Sequence, residues 1–442
     1  MSQPVFYDPK QARWKRLRPF LDLLGAAVGL LILFFGYKVM LGSDPLPEML
    51  LPVQKKPFRA LRENERERAK EKRRLAIKRS HRKSKSAPSQ VKLNAEEGIR
   101  AAFYVSWDAA SFSSLREHAG QIDLLYPEWL HVLSPDGNLQ AVDPQTNKFF
   151  DAVQGKTVQS VDDKVMPFLK SENTGTEVFP LVNNFNGLEW IDITKFFDDP
   201  DARAHFRDET STFLATDNYK GLMVDFEDFP KKGQPGYLTL LHELSSDLHT
   251  KGKKLYVAVP SHNDEWNYRE VSSVADGVVL MNYDEHYPGG EPGPVASQDW
   301  FVKNLNFARK VIPQDKLICA IGNFGYDWAK KPKHGKLPQD EKDKNQTVQD
   351  AWLAARDSDA DVDFDWDSSN PHVAYLDENN IEHDIWFLDA VTALNQMRAS
   401  QELGIKTFAL WRLGAEDRSM WRVWDAPGEA VAPDRLKEVP PG

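Results

Sequence analysis

The sequence predicts an α/β protein: a closed (β/α)8 barrel with a small α+β insertion before its last strand, preceded by one transmembrane helix and a basic linker. Three observations carry this reading. From Gly98 onward, short β-rich apolar runs alternate with longer amphipathic stretches, eight times in about 330 residues. An apolar run of 19 residues at 23–41 is long enough to cross a hydrocarbon core. The charge is divided unevenly: residues 1–54 carry +2, residues 55–92 carry +12, and residues 93–442 carry −24, within a net charge of −10.

The apolar run reads LLGAAVGLLILFFGYKVML and is preceded by Lys10, Arg13, Lys15, Arg16 and Arg18. That basic flank places the tail, 1–22, in the cytoplasm, and the barrel on the periplasmic or extracellular side of the cell membrane, with the lipid bilayer as a partner. A cleaved signal peptide is the rival reading. The length of the run and the lack of a small-x-small site in GSDPLPEMLLP count against it. The linker, 42–97, contains RALRENERERAKEKRRLAIKRSHRKSK, too charged to bury a core, and is expected to be helical or disordered. An acidic barrel makes nucleic acid a poor partner. The single cysteine, Cys319, lies in an apolar strand, so no internal disulfide can form.

The eight candidate strands are 99–105, 129–133, 178–183, 221–226, 254–260, 277–283, 317–321 and 407–411, with helical stretches such as 237–250 and 300–311 between them. They give a barrel domain over 98–427, followed by a tail at 428–442. The rhythm breaks at about 330–385, where VAYLDENNIEHDIWF reads as a hairpin turning at 378–380 inside an insertion. An open doubly wound sheet is the alternative topology.

In such barrels the working side chains lie at the C-terminal strand ends. The fourth candidate strand reads GLMVDFEDF, so Met223, Asp225 and Glu227 share one face, and Leu222, Val224 and Phe226 the other. Two close carboxyls raise the pKa of one of them, which is what a general acid needs. VVLMNYDEH contributes Met281, Tyr283 and Asp284, and FALWRLGAED contributes Trp411 and Asp417. Tyr104 and Trp107 follow from the first strand, and Asn183 and Asn184 from the third. Paired acids over an aromatic floor suit a sugar. The acidic run DSDADVDFDWD lacks the glycine and closing glutamate of a calcium loop, and His262, His286 and His383 show no ligand spacing, so neither metal nor cofactor is expected.

GLMVDFE resembles the D-x-x-D-x-D-x-E strand of glycoside hydrolase family 18, MNYD its Met-x-Tyr-Asp strand, and ALW its eighth-strand tryptophan. The resemblance spans roughly residues 98–425. It implies a chitinase-like hydrolase of β-linked N-acetylglucosamine polysaccharides that works by retaining, substrate-assisted catalysis. Glu227 would be the proton donor, Asp225 would orient the acetamido group, and Tyr283 would hydrogen-bond its oxygen. Asp284, Trp411, Tyr104, Trp107, Asn183 and Met281 would contact the sugar. The motif's first and middle aspartates fall on Lys220 and Met223. Without the middle carboxylate, Asp225 is expected in a more apolar setting with a raised pKa. The alternatives are a barrel that binds glycan without cleaving it, or a scaffolding module of an envelope assembly. Similar anchored barrels occur joined to polysaccharide deacetylase or glycosyltransferase modules.

Overall fold

Runs of β-branched and aliphatic residues between turn signals form strands wherever one face of the run can be buried. The computed structural model describes residues 98–424 except 144, 145, 147, 262 and 331–342, together with scattered helical positions between 18 and 30 and the pair Arg59–Ala60. The chain divides into two units, residues 1–55 and 56–442. Among the described residues no helix is long and apolar enough to cross a membrane. The expected span at 23–41, the linker and the C-terminal tail lie largely outside the described residues.

Eight parallel strands close on themselves: β1 (Arg100–Val105), β2 (Leu124–His131), β3 (Leu181–Asn183), β4 (Gly221–Asp225), β5 (Lys254–Pro260), β6 (Gly277–Met281), β7 (Leu317–Gly322) and β8 (Phe408–Trp411). Phe408 of β8 pairs with Arg100 of β1, and Ala101 of β1 with Leu124 of β2, which joins the two ends of the sheet. Closure excludes the open doubly wound alternative. Helices follow the strands, among them Ala109–His118, Pro200–Leu214, Gln234–Thr250 and Gln298–Val311.

Side-chain alternation splits the core in two. Leu222, Val224 and Phe226 of the β4 segment face outward into the cluster under the helices. Met223 faces inward with Ala101, Phe103, Tyr126, Tyr256, Val279, Ile318 and Ala409. Aromatic rings plug the barrel: Phe179 meets Tyr256 edge-on at 4.8 Å, and Phe103 lies 5.3 Å from Tyr126. The working end is therefore a cup above a solid floor.

Seven of the strands start and stop near their expected bounds. β2 begins five residues earlier, at Leu124 rather than 129. A proline inside a central strand argues against that strand, yet Pro127 pairs with Tyr104 of β1. The irregularity is taken up by a shift of register between Glu128 and Leu130 where β2 meets β3.

Between β7 and β8 the chain builds a second, antiparallel sheet. It begins at once with Gly325–Lys330, a little earlier than the expected boundary at 330. Its central hairpin, Asn370–Leu376 with Glu382–Phe387, turns where Asp377 Oδ1 accepts from the amides of Asn379 (2.9 Å) and Ile381 (2.6 Å), and where Asn380 adopts a left-handed backbone. Helix Val348–Ser358 covers it, packing on Val373, Ile385 and Phe387. Arg59 and Ala60 pair with Leu376 and Tyr375 at the edge of this sheet. That short strand falls in a linker expected to be helical or disordered. An exposed strand edge offers unpaired backbone groups to any extended segment within reach.

Gly221 opens β4 so close to β5 that a Cβ would lie 1.8 Å from the Lys254 carbonyl oxygen. We expect Gly221→Ala to lower the unfolding free energy by about 3 kcal/mol, read from denaturant melts, because the strand carrying the acids cannot move without opening the sheet.

Candidate active site

Asp225 ends β4, and Glu227 follows two residues later, so alternation sends both carboxyls into the cup. Asp225 is buried at 5% exposure, while Glu227 stays partly open to solvent. The peptide of Glu227 is clamped by one side chain. Its N–H donates to Asn184 Oδ1 (2.9 Å), and Asn184 Nδ2 donates to the Glu227 carbonyl (2.8 Å) and to that of Ile191 (2.7 Å). Asn184, read from sequence only as a rim residue, thus fixes the height of the acid without touching its carboxyl. Asp228 then takes a left-handed φ of 52° and turns the chain out of the cup.

Two strands further round the barrel, just past the end of β6, lie Tyr283 and Asp284. Asp284 also has a left-handed φ, 66°, which an aspartate tolerates. Its Oδ1 accepts from the hydroxyl of Tyr326 (2.7 Å), a residue of the inserted sheet. The Tyr283 ring stands edge-on to Phe324 at 5.6 Å and near-parallel to Trp411 at 6.5 Å, and Trp411 meets Phe103 edge-on at 5.1 Å. Met281 packs beside them on the inner cluster. Trp107 is 49% exposed at the mouth, with the Arg412 guanidinium 4.3 Å above its ring and bound to Asp108 at 2.7 Å.

Three sequence-derived residues stand elsewhere. Tyr104 does not face the cup: Phe103 holds the inward position, so Tyr104 packs into the outer cluster and its hydroxyl donates to Asp162 (2.8 Å). Asn183 is 2% exposed, and its Oδ1 is taken by His131 Nδ1 (2.7 Å) and the Phe185 amide (3.1 Å), so it supports the wall instead of facing a sugar. Asp417 accepts from the Ser419 amide and hydroxyl and from the Ala390 amide, which makes it a turn-former.

One acid escaped the sequence reading. Glu128, 9% exposed, lies on the inward face of β2 above Leu124 and Tyr126. Starting that strand after Pro127 left its parity undefined. A glutamate inside the apolar stretch LLYPEWL was the signal available.

Burial governs the electrostatics. It lifts Asp225 to about 7, with the charge of Glu128 adding to the rise. It lifts Asp284 to about 6 against the pull of the Tyr326 hydrogen bond. Glu227 is pushed well above the usual range by burial first, then by Asp225, Asp284, Asp228 and Glu128. Burial raises Glu128 as well, opposed by hydrogen bonds from Asn183 and Trp107 and by the charge of Arg412. At neutral pH the cup therefore holds Glu227 as a neutral acid, beside an Asp225 close to its midpoint. Asp225 Oδ1 is buried and lacks a hydrogen-bond partner among the described residues. Such an atom is costly unless a ligand completes it.

A folded-state pKa near 7 against 3.8 for an ordinary aspartate means the native protein holds the extra proton. The stability this confers is complete below 3.8 and is lost as pH rises through about 7. Asp225→Asn should thus melt above the wild type at about pH 8 and alongside it near pH 4, measured by thermal melts across pH.

The family model for Glycosyl hydrolases family 18 matches residues 101–416. Uncharacterized glycosylase YvbX of Bacillus subtilis (strain 168) is 24% identical over 336 residues, covering 72% of this chain and 88% of that protein. Cortical fragment-lytic enzyme of Bacillus anthracis is 25% identical over 212 residues, covering 46% of this chain and 48% of its own, so the chain spans about half the length of that relative. Among solved structures, the chitinase from Chromobacterium violaceum ATCC 12472 superposes with a TM-score of 0.62 at 21% identity, covering 74% of this chain and 98% of that one. The Bacillus cereus spore cortex-lytic enzyme SleL gives 0.62 at 18% identity, with 75% and 74% covered. The structural likenesses speak for the fold, and the match over residues 101–416 for descent: this chain is a glycoside hydrolase and belongs to glycosyl hydrolase family 18.

Proposed function

We propose that the protein cleaves a β-linked polysaccharide containing N-acetylglucosamine, using the substrate's own acetamido oxygen as nucleophile and Glu227 as proton donor. The observation that carries this is the pair at the end of β4: an acid held neutral by burial, beside a buried carboxylate oxygen with no partner among the described residues.

In this reading the sugar at the cleavage point stacks on Trp411, and its 2-acetamido N–H donates to Asp225 Oδ1. Tyr283 donates to the acetamido oxygen and holds it below C1. Glu227 gives its proton to the glycosidic oxygen as the bond from that oxygen to C1 breaks, and the acetamido oxygen bonds to C1 to form an oxazolinium ion. The positive charge spreads onto the acetamido nitrogen, where ionised Asp225 stabilises it. Glu227, now a carboxylate, takes a proton from water as that water attacks C1 and the bond from C1 to the acetamido oxygen breaks, which restores the acetamido group and retains the configuration. Asp284, tethered by Tyr326, completes the polar wall, and Trp107 meets the chain at the mouth. Relatives named for chitin and for spore cortex support a wall-type polymer as substrate.

The apolar run at 23–41 and its basic flank support a barrel tethered outside the cytoplasmic face. Full-length protein should then sediment with membranes after a high-salt wash and lose its barrel to protease in intact spheroplasts. A barrel protected there would reverse the orientation.

Glu227→Gln should lower turnover of N-acetylglucosamine polymers by about 10³-fold while leaving the melting curve native-like. Release of reducing ends from a polymer panel measures it. A variant as active as the wild type would remove Glu227 from the reaction, and a wild type inert on every such polymer would remove the substrate class.

A further inference from the structure

Glu128, the acid that the sequence pattern hides, is placed to act on Asp225. Glu128 of β2, Leu181 of β3 and Met223 of β4 sit in register on one level of the barrel, and Asp225 lies one inward position above Met223. Met223 is fully buried and carries no charge. The shift of register between Glu128 and Leu130 interrupts the ladder beside Glu128, and bulges of this kind re-aim side chains near active sites. His131 Nδ1 donates to Asn183 Oδ1 at 2.7 Å, and the Asn183 and Trp107 side chains both draw Glu128 toward its ionised form.

We propose that Glu128 is the carboxylate partner of Asp225, a positioning residue that sets from two strands away the charge state in which Asp225 meets the acetamido group. The proposal rests on the reading given under Proposed function. It adds that the acid beneath Asp225, absent at Met223, is supplied from a different strand. The charged and titratable groups around the pair are few. Asn183 and His131 stand behind Glu128, and Arg412 with its Asp108 stands above it. Glu227, Asp228, Tyr283 and Asp284 line the rest of the cup, and Tyr237 lies behind Asp225. Of these charges, Glu128 is the one that raises Asp225. It acts on Glu227 as well, after Asp225, Asp284 and Asp228. A carboxylate two strands away, instead of two residues away on the same strand, couples Asp225 to the wall that carries Trp107 and Arg412. A sugar chain that displaces Trp107 would then be felt at Asp225.

The test is the pH profile of kcat/KM for the wild type, Glu128→Gln, and Glu128→Gln combined with Met223→Asp. Asp225 must be ionised to stabilise the oxazolinium, so its pKa governs the acid limb. Removing the charge at Glu128 should move that limb down by about one pH unit. Restoring a carboxylate on β4 with Met223→Asp should bring it back. A limb that stays within about 0.2 unit in Glu128→Gln, while the wild type turns over, overturns the proposal and leaves the proposed function standing. If the wild type cleaves no N-acetylglucosamine polymer, the proposed function fails, and thermal melts decide for Glu128. At about pH 8, Glu128→Gln and Asp225→Asn should each raise the melting temperature, and the double variant should raise it by less than their sum. Near pH 4 the two effects should add. Additive melts at both pH values overturn the pairing.

Discussion

Desolvation of carboxyls inside an apolar barrel is the constraint on which the rest depends. A carboxylate in low dielectric is expensive, and the group responds by keeping its proton. Glu128, Asp225, Glu227 and Asp284 all share one cup, and all have their acidity weakened first by burial; neighbouring carboxylates add to the rise at Asp225 and Glu227. A stable fold would not gather four acids over rings such as Phe103 and Trp411 unless most were neutral or bound. The same arrangement that lowers stability as pH rises holds Glu227 ready to give up a proton.

The surroundings then decide which acid does what. Glu227 has its peptide clamped by Asn184, while its carboxyl takes no hydrogen bond among the described residues. Asp284 is bound by the Tyr326 hydroxyl and drawn back toward ionisation. Glu128 is drawn back toward ionisation by Asn183, Trp107 and the Arg412 guanidinium, against the cost of its burial. Asp225 Oδ1 has no hydrogen-bond partner among the described residues. The roles separate by what each oxygen is given, and the one left unsatisfied is the one that a substrate amide fits.

Most of the barrel was legible because side-chain parity along a strand is a strong physical signal. GLMVDFE places Asp225 and Glu227 inward with no knowledge of the neighbouring strands. Tyr104 shows where that signal fails. The first strand is apolar on both faces, AAFYV, so its sequence does not say whether Phe103 or Tyr104 looks inward; contact with Trp411 and Tyr126 decides it. Glu128 was hidden for a related reason: Pro127 masked the strand that defines its parity. Asn183 and Asn184, adjacent and alike, divide into a support for the wall and a clamp on the acid, and only the backbone positions of Glu227 and Ile191 tell them apart.

The inserted sheet follows from the same reasoning. It leaves the barrel directly after β7, and Phe324 just before its first strand, with Tyr326 and Trp328 within it, joins the inner cluster. The hydroxyl of Tyr326 is the only hydrogen-bond donor recorded for Asp284 among the described residues. Without it, Asp284 would meet burial unopposed and hold its proton to a higher pH, and the polar wall beside Glu227 would carry less charge. The insertion therefore does more than enlarge the cleft. It carries a proton-controlling group to an acid that the eight barrel strands present but cannot themselves satisfy, much as Asn183 and Trp107 serve Glu128 on the other side. The two supports come from segments far apart in sequence, so the charge distribution of the cup exists only once barrel and insertion have both folded.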